Sequence, residues 1–146
     1  MKDPATGELR LANGSHPPAL LVRRDGSAQH LEVRGRGIGF PFPGSDRVLS
    51  TRLEPGDLLL LYTDGLTESR KDAVEGEIRL VRAAQAHARL PLTDIPNAIA
   101  ADMHTIVLHA DDTLAMALRI ALPPPAHEKP GAGALPPSVT RPVTLG

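Results

Sequence analysis

The hydrophobic pattern changes from strand to helical period midway along the chain, and that switch restricts the possible fold more than any other feature. Over residues 8–63 the apolar residues fall in short runs separated by Gly, Pro, Asn and Asp, which predicts antiparallel strands. Leu9-Arg10-Leu11 alternates and stops at Asn13-Gly14. Residues 19–22 are apolar and stop at Arg24-Asp25-Gly26, whose Asp-Gly predicts a hairpin to residues 29–33. These three segments are expected to form a meander. After a loop punctuated by Gly35, Gly37, Gly39, Pro41, Pro43 and Gly44, residues 48–53 are expected to pair with 57–63 across Glu54-Pro55-Gly56.

Beyond that point the period becomes helical. Ile78, Val81, Ala84 and Ala88 recur at helix spacing until Pro91, and Ile95, Ile99, Met103 and Ile106 repeat the pattern behind a Thr93 or Asp94 cap. Pro96 then falls in the first turn, where its missing N–H costs little. A last strand is expected over 113–120. Strands, two helices and a returning strand make an α+β order, in which helices cover one face of a mainly antiparallel sheet.

Composition limits both the core and the chemistry. The last 25 residues, 122–146, hold seven of the fifteen prolines and three glycines, which predicts a disordered tail after a folded region at 1–121. With one Tyr, two Phe and no Trp, the core must be built from Leu, Val, Ile and Ala. Sixteen basic against seventeen acidic residues, in no long block of one sign, leave no nucleic-acid footprint and no polybasic membrane anchor. No apolar run approaches a membrane span. The absence of cysteine removes thiol nucleophiles, zinc thiolates and disulfides, and agrees with a reducing compartment, so the cytoplasm is the expected location.

Two acidic features stand out. Leu58-Leu59-Leu60-Leu61-Tyr62-Thr63-Asp64-Gly65 is an apolar strand that delivers a carboxylate at its end, with Gly65 permitting a tight turn. A charge beside a buried strand calls for a pair, hydrogen bonds or a metal. An Asp-Gly turn that simply closes the strand is the plainer reading. Asp111-Asp112 lies between the second helix and the final strand; it is either a solvated loop or a pair of oxygen donors suited to a hard cation. Both acids sit at ends of strands that can be neighbours. No phosphate-binding GxxxxGK[ST] loop, HExxH pair or nucleophile elbow competes with them. Of the six histidines, only His16, in the loop Asn13-Gly14-Ser15-His16-Pro17, is kept as a possible site residue.

Four segments, in order, resemble the SpoIIE/RsbU-like branch of the PPM-type serine/threonine phosphatases. Asn13-Gly14-Ser15-His16-Pro17-Pro18 is similar to an Asn-Ala-Gly-His-Pro-Pro turn, and Leu53-Glu54-Pro55-Gly56-Asp57 to a Leu-x-Pro-Gly-Asp turn. Tyr62-Thr63-Asp64-Gly65-Leu66-Thr67-Glu68 matches a Tyr-Thr-Asp-Gly block, and Asp111-Asp112 matches the terminal acidic pair. The resemblance covers residues 6–120. It implies the later half of a four-layer α-β-β-α sandwich. It also implies that Asp64 and Asp111 bind one Mn²⁺ or Mg²⁺ ion of a two-metal centre, with Asp112 beside them and Gly65 and His16 in the site loops. The substrate it implies is a phosphorylated STAS-domain anti-anti-sigma factor, and it leaves a homodimer open.

The same resemblance sets expectations about what is absent. Family members carry a bridging Asp-Gly and a further acid upstream of the region matched here, so Met1 is expected to begin a fragment, a misplaced gene start or a degenerate paralogue, weakly active or inactive alone. The rival expectation is a non-catalytic, phosphatase-like binding module or a partial gene. Two departures from the pattern are Gly14-Ser15 for Ala-Gly, and Val74-Glu75-Gly76 where Phe-Gly is usual. The second predicts a loosened loop before the first helix.

Overall fold

A strand that is apolar at every position can only be buried on both faces, so it must lie between two layers. Residues 58–62 occupy that place. The computed structural model describes residues 2–3, 7–36, 38–39, 42–43, 47–68, 72–103 and 112–121. In chain order its strands are β1 (Lys2–Asp3), β2 (Glu8–Leu11), β3 (Ala19–Val22), β4 (Ala28–Leu31), β5 (Ile38–Gly39), β6 (Phe42–Pro43), β7 (Leu49–Arg52) and β8 (Leu58–Tyr62). A single 3-10 turn (Asp64–Leu66), helices α1 (Ala73–His87) and α2 (Ile95–Met103), and β9 (Ala115–Arg119) follow.

The strands form a four-stranded sheet in the order β4-β3-β8-β9, a three-stranded sheet β1-β2-β7 and a small β5-β6 hairpin, with every pairing antiparallel. Side chains alternate across the four-stranded sheet. Leu20, Val22, Leu58, Leu60 and Tyr62 meet Leu80, Ala83, Ala84, Ile95, Ile99 and Met103 of the two helices. Ala19, Leu21 and Leu59 point the other way, onto Leu9, Leu31 and Leu53. The layers are therefore helices, sheet, sheet. Each fully buried leucine, such as Leu20, Leu58 or Leu60, contributes about 2 kcal/mol by removal from water.

The longer elements match the reading of periods, while the short β1 and the β5-β6 pair within the expected glycine-rich loop are not part of it, and two of the expected pairings do not form. β2 is not the first strand of a meander with β3 and β4, because it pairs with β7 in the other sheet, Leu9 opposite Thr51. Nor do β7 and β8 form a hairpin. β8 lies between β3 and β9, and Glu54-Pro55-Gly56 is a corner that carries the chain from one sheet to the other. Two apolar faces on β8 demand a central position, and a hairpin with the half-exposed β7 would not provide it.

The corner is fixed by Asp57, whose side chain is almost fully buried. Its carboxylate accepts from Arg23 Nη1 at 2.7 Å, from the Arg24 backbone N–H at 3.1 Å and from the Glu54 N–H at 2.9 Å. Gly56 adopts φ +93°, in the left-handed region, and the stem of Arg24 lies against it.

α1 starts one residue after Asp72, whose carboxylate accepts from the Val74 and Glu75 N–H groups, a cap worth about 1 kcal/mol. Val74-Glu75-Gly76 is thus part of α1, and residues 69–71, where a loosened loop before that helix is expected, lie outside the described residues. Gly76 is buried, and a Cβ on it would stand 2.1 Å from the Thr67 carbonyl oxygen, so the glycine is required by close approach. His87 Nε2 lies 2.8 Å from Asp102 Oδ2 and ties α1 to α2. Ile106, the tail at 122–146 and most of the glycine-rich loop after Arg36 lie outside the described residues.

Candidate functional site

Strand pairing decides which acids can meet. β9 runs antiparallel to β8 with Ala115 opposite Tyr62, so the segment before β9 and the segment after β8 emerge at one end of the sheet. Thr63 locks them together. Its N–H donates to Leu114 O at 3.0 Å, its hydroxyl donates to Asp112 O at 3.0 Å, and the same oxygen accepts from the Leu114 N–H at 2.9 Å. Asp64 and Asp112 therefore flank one hydrogen-bonded residue. Asp111 lies outside the described residues, but it is joined covalently to Asp112.

Asp64 opens the 3-10 turn. Its carbonyl accepts from the Thr67 and Glu68 N–H groups and from the Thr67 hydroxyl, while Oδ1 accepts from the Gly65 N–H at 3.0 Å. Gly65 and Leu66 are buried beneath the turn and hold it against the core. The carboxylate itself is exposed, as is Asp112. This corrects one step of the sequence argument, since an exposed Asp64 carries no desolvation penalty and does not require a partner on that account.

The loop 12–18 forms the opposite wall. Asn13 closes it from both sides, accepting from the His16 N–H at 2.9 Å through Oδ1 and donating Nδ2 to His16 O. Ser15 takes φ 67°, the left-handed region where the similar family turn carries glycine. His16 is exposed. Between loop and sheet lies a cleft of about 320 Å³ lined by His16, Pro17, Leu61, Thr63, Leu114 and Met116, mostly apolar. Leu114, Met116 and Leu118 are about half exposed on this side of β9.

The donor chemistry at Asp64 and Asp112 suits a hard divalent cation, because carboxylate oxygens are what Mg²⁺ and Mn²⁺ take. Among the described residues, no group of three or more His, Asp or Glu side chains gathers as a metal site. Nor is any described helix long and apolar enough to cross a membrane.

Two residues escaped the sequence reading. Asp57 is a buried junction, hidden inside what reads as a simple Pro-Gly-Asp turn. Tyr62 lies 6% exposed with its hydroxyl unpartnered among the described residues, and burial pushes the phenol up to about 12, the Glu77 charge adding to the effect. Nothing in the one-dimensional pattern marks that hydroxyl as an orphan.

Comparison with known proteins agrees with this fold. Protein IcfG of Synechocystis sp. strain PCC 6803 is 29% identical over 97 residues, which is 64% of this chain and 15% of that protein. The structure of the RsbU and RsbW domains of Rv1364c from Mycobacterium tuberculosis superposes with a TM-score of 0.72 at 29% identity, covering 85% of this chain and 35% of that one. The phosphatase domain of the cell fate determinant SpoIIE from Bacillus subtilis, presoaked with Mn, superposes at 0.67 with 18% identity, covering 86% and 56%. The chain thus spans between about a seventh and somewhat over half of the length of these relatives. The family model for stage II sporulation protein E matches residues 1–121, and the chain belongs to the SpoIIE family, with an α+β, phosphatase-like fold.

Proposed function

We propose that the chain contributes one wall of a metal-dependent phosphoprotein phosphatase centre, with Asp64 and Asp111 as ligands of one divalent cation and Asp112 as their neighbour. The observation that carries this reading is the Thr63 lock, which brings the segment after β8 and the segment before β9 to one sheet end. Mn²⁺ or Mg²⁺ held there would activate water for in-line attack on a phosphoserine or phosphothreonine and neutralise charge on the phosphoryl oxygens.

This chain's own residues set the stage for that chemistry. The Gly65 N–H holds Asp64 Oδ1, and Oδ2 would be the oxygen offered to the cation. The buried Gly65 and Leu66 stop the turn from yielding when a cation pulls on it. His16 and the cleft beside it offer a surface for the residues flanking a phosphorylated side chain. No covalent enzyme intermediate is needed, in keeping with a chain that has no cysteine. The substrate class we assign is a phosphorylated STAS-domain anti-anti-sigma factor, as the family resemblance implies.

A non-catalytic, phosphatase-like binding module is the second reading, favoured by the small number of acids that the described residues bring together. Hydrolysis of p-nitrophenyl phosphate with Mn²⁺ separates the two. The chain joined to the upstream half of a homologous domain turns over under the first reading and stays inert under the second. The chain by itself is expected to be slow or inactive, and vigorous turnover would contradict the ligand count.

A further inference from the structure

At the other end of β8, about 20 Å from Asp64 by strand rise, the sheet and α1 enclose a second cleft of quite different character. It measures about 330 Å³ and is bounded by Arg23, Arg24, Gly56, Gln85, Arg89 and Arg119, with no acid in its lining. Four arginines line it from three separate stretches of chain: the β3-β4 turn, the segment just after α1 and the end of β9.

Three of them are held in place by bonds that use only part of their donor capacity. Arg119 donates to the carbonyls of Ala88 and Leu90, Arg89 donates to the Arg24 carbonyl, and Arg23 donates to Arg52 O and Asp57. Gln85 Nε2 fixes the hairpin by donating to Gly26 O. A guanidinium has five N–H donors in a fixed fork, so each anchored arginine keeps donors to spare. The bonds from Arg119 also cover carbonyls just past the C-terminal end of α1, whose negative end would otherwise repel an anion. Arg24 differs from the rest. Its stem lies across Gly56, and among the described residues its guanidinium makes no hydrogen bond.

Two of the nearby acids, Asp57 and Asp25, are already engaged, while Glu54 borders the adjoining cleft together with Arg23 and Arg24. Asp57 is taken by Arg23 and two backbone N–H groups. Asp25 turns into its own loop, where the Ser27 hydroxyl and N–H donate to it and hold its carboxyl below the usual range. Asp25 and Glu54 line the adjoining cleft and not this one. With Asp57 paired to Arg23, none of the other three arginines of the cleft is paired with an acid among the described residues. Like charges held together in this way favour a shared counter-anion.

We propose that this cleft binds a tetrahedral oxyanion, namely a phosphate group, with Arg24 as the closing contact and Arg89 and Arg119 as the preset ones. Neither free phosphate nor a phosphoryl group on a protein is excluded by the chemistry of the cleft, which would recognise the shared dianion. The assignment does not depend on the phosphatase reading, because the two sites lie at opposite ends of β8.

The test is a titration of the full chain with inorganic phosphate, followed by amide NMR shifts against sodium chloride at matched ionic strength. Shifts are expected at Arg24, Gly26, Gly56 and Gln85, and not around Thr63 and His16. Arg24→Gln should weaken binding about tenfold or more, because a charge-assisted contact is lost, while Arg24→Lys retains most of it. O-phosphoserine titrated alongside identifies the source: tighter binding than phosphate assigns the cleft to a phosphorylated protein, and equal or weaker binding assigns it to the free ion. The proposal is overturned by no response at these amides, by a response equal in Arg24→Gln, or by one that chloride reproduces.

Discussion

Arg23 Nη1 stands 2.7 Å from Asp57 Oδ2 and joins the end of β3 to the corner between the two sheets. Asp57 is 2% exposed at its side chain against 29% for Arg23, so the two partners are not equivalent. Removing the acid leaves two backbone N–H groups without acceptors, while removing the arginine leaves the acid still held by them. Asp57→Ala is therefore expected to cost about 3 kcal/mol, and Arg23→Ala about half of that. Urea unfolding of both variants checks the order. Equal losses would mean that the ion pair, and not the capping of the corner, stabilises this junction.

Gly76 supplies a case in which helix propensity predicts the wrong sign. In an exposed helix, Gly→Ala stabilises by about 1 kcal/mol. Here the added Cβ would stand 2.1 Å from Thr67 O, a backbone atom that cannot rotate away. Gly76→Ala is expected to destabilise by about 2 kcal/mol, by forcing α1 away from the turn that carries Asp64. A rise in melting temperature would show that this approach is looser than the structure has it.

What the sequence made legible follows from where its information is local. The strand at 58–62, both helices and the Asp64 turn are written in neighbouring residues: a run of leucines, apolar residues at helix spacing, an Asp-Gly. The partner of each strand is not. Glu54-Pro55-Gly56 has the chemistry of a hairpin turn whether the next strand folds back or crosses to another sheet, and only the two-sided burial of β8 separates these outcomes. Asp57 stayed hidden for the same reason, since its partners Arg23 and Arg24 lie more than thirty residues away. The placing of Asp64 beside Asp112 was accessible, because it needs only that two strand ends be adjacent.

Tyr62 gives a pH test with a clean signal, as it is the one tyrosine in a chain without tryptophan. Its pKa is raised to about 12 by burial, with the Glu77 charge adding to the shift. The folded state therefore disfavours the phenolate. The associated stability is fully present below the unfolded value near 10 and is lost as pH rises towards 12. Phenolate absorbance should thus rise well above the ordinary range, or appear together with unfolding. Tyr62→Phe removes a hydroxyl that has no partner among the described residues and is expected to stabilise the fold by about 1 kcal/mol. Ordinary titration of the folded chain near 10 would show that the hydroxyl reaches water.

The remaining prediction separates a metal ligand from a turn former at Asp64. Asn keeps the shape of Asp and is among the best residues for such a turn, so Asp64→Asn should preserve the Gly65 contact and the fold. It removes the negative charge that a hard cation requires. In the chain joined to an upstream half-domain, Asp64→Asn is expected to abolish metal-dependent hydrolysis and to weaken Mn²⁺ binding by calorimetry, with melting temperature almost unchanged. Asp111→Asn should do the same. If the two act on one cation, the double variant will be scarcely worse than either single one, because groups that work as a unit are strongly non-additive. Asp112→Asn serves as the internal comparison and should lose less, since Asp112 is assigned a neighbouring role. Unchanged Mn²⁺ affinity in both Asp64→Asn and Asp111→Asn would remove the ligand assignment, and the Thr63 lock would then be a feature of strand pairing alone.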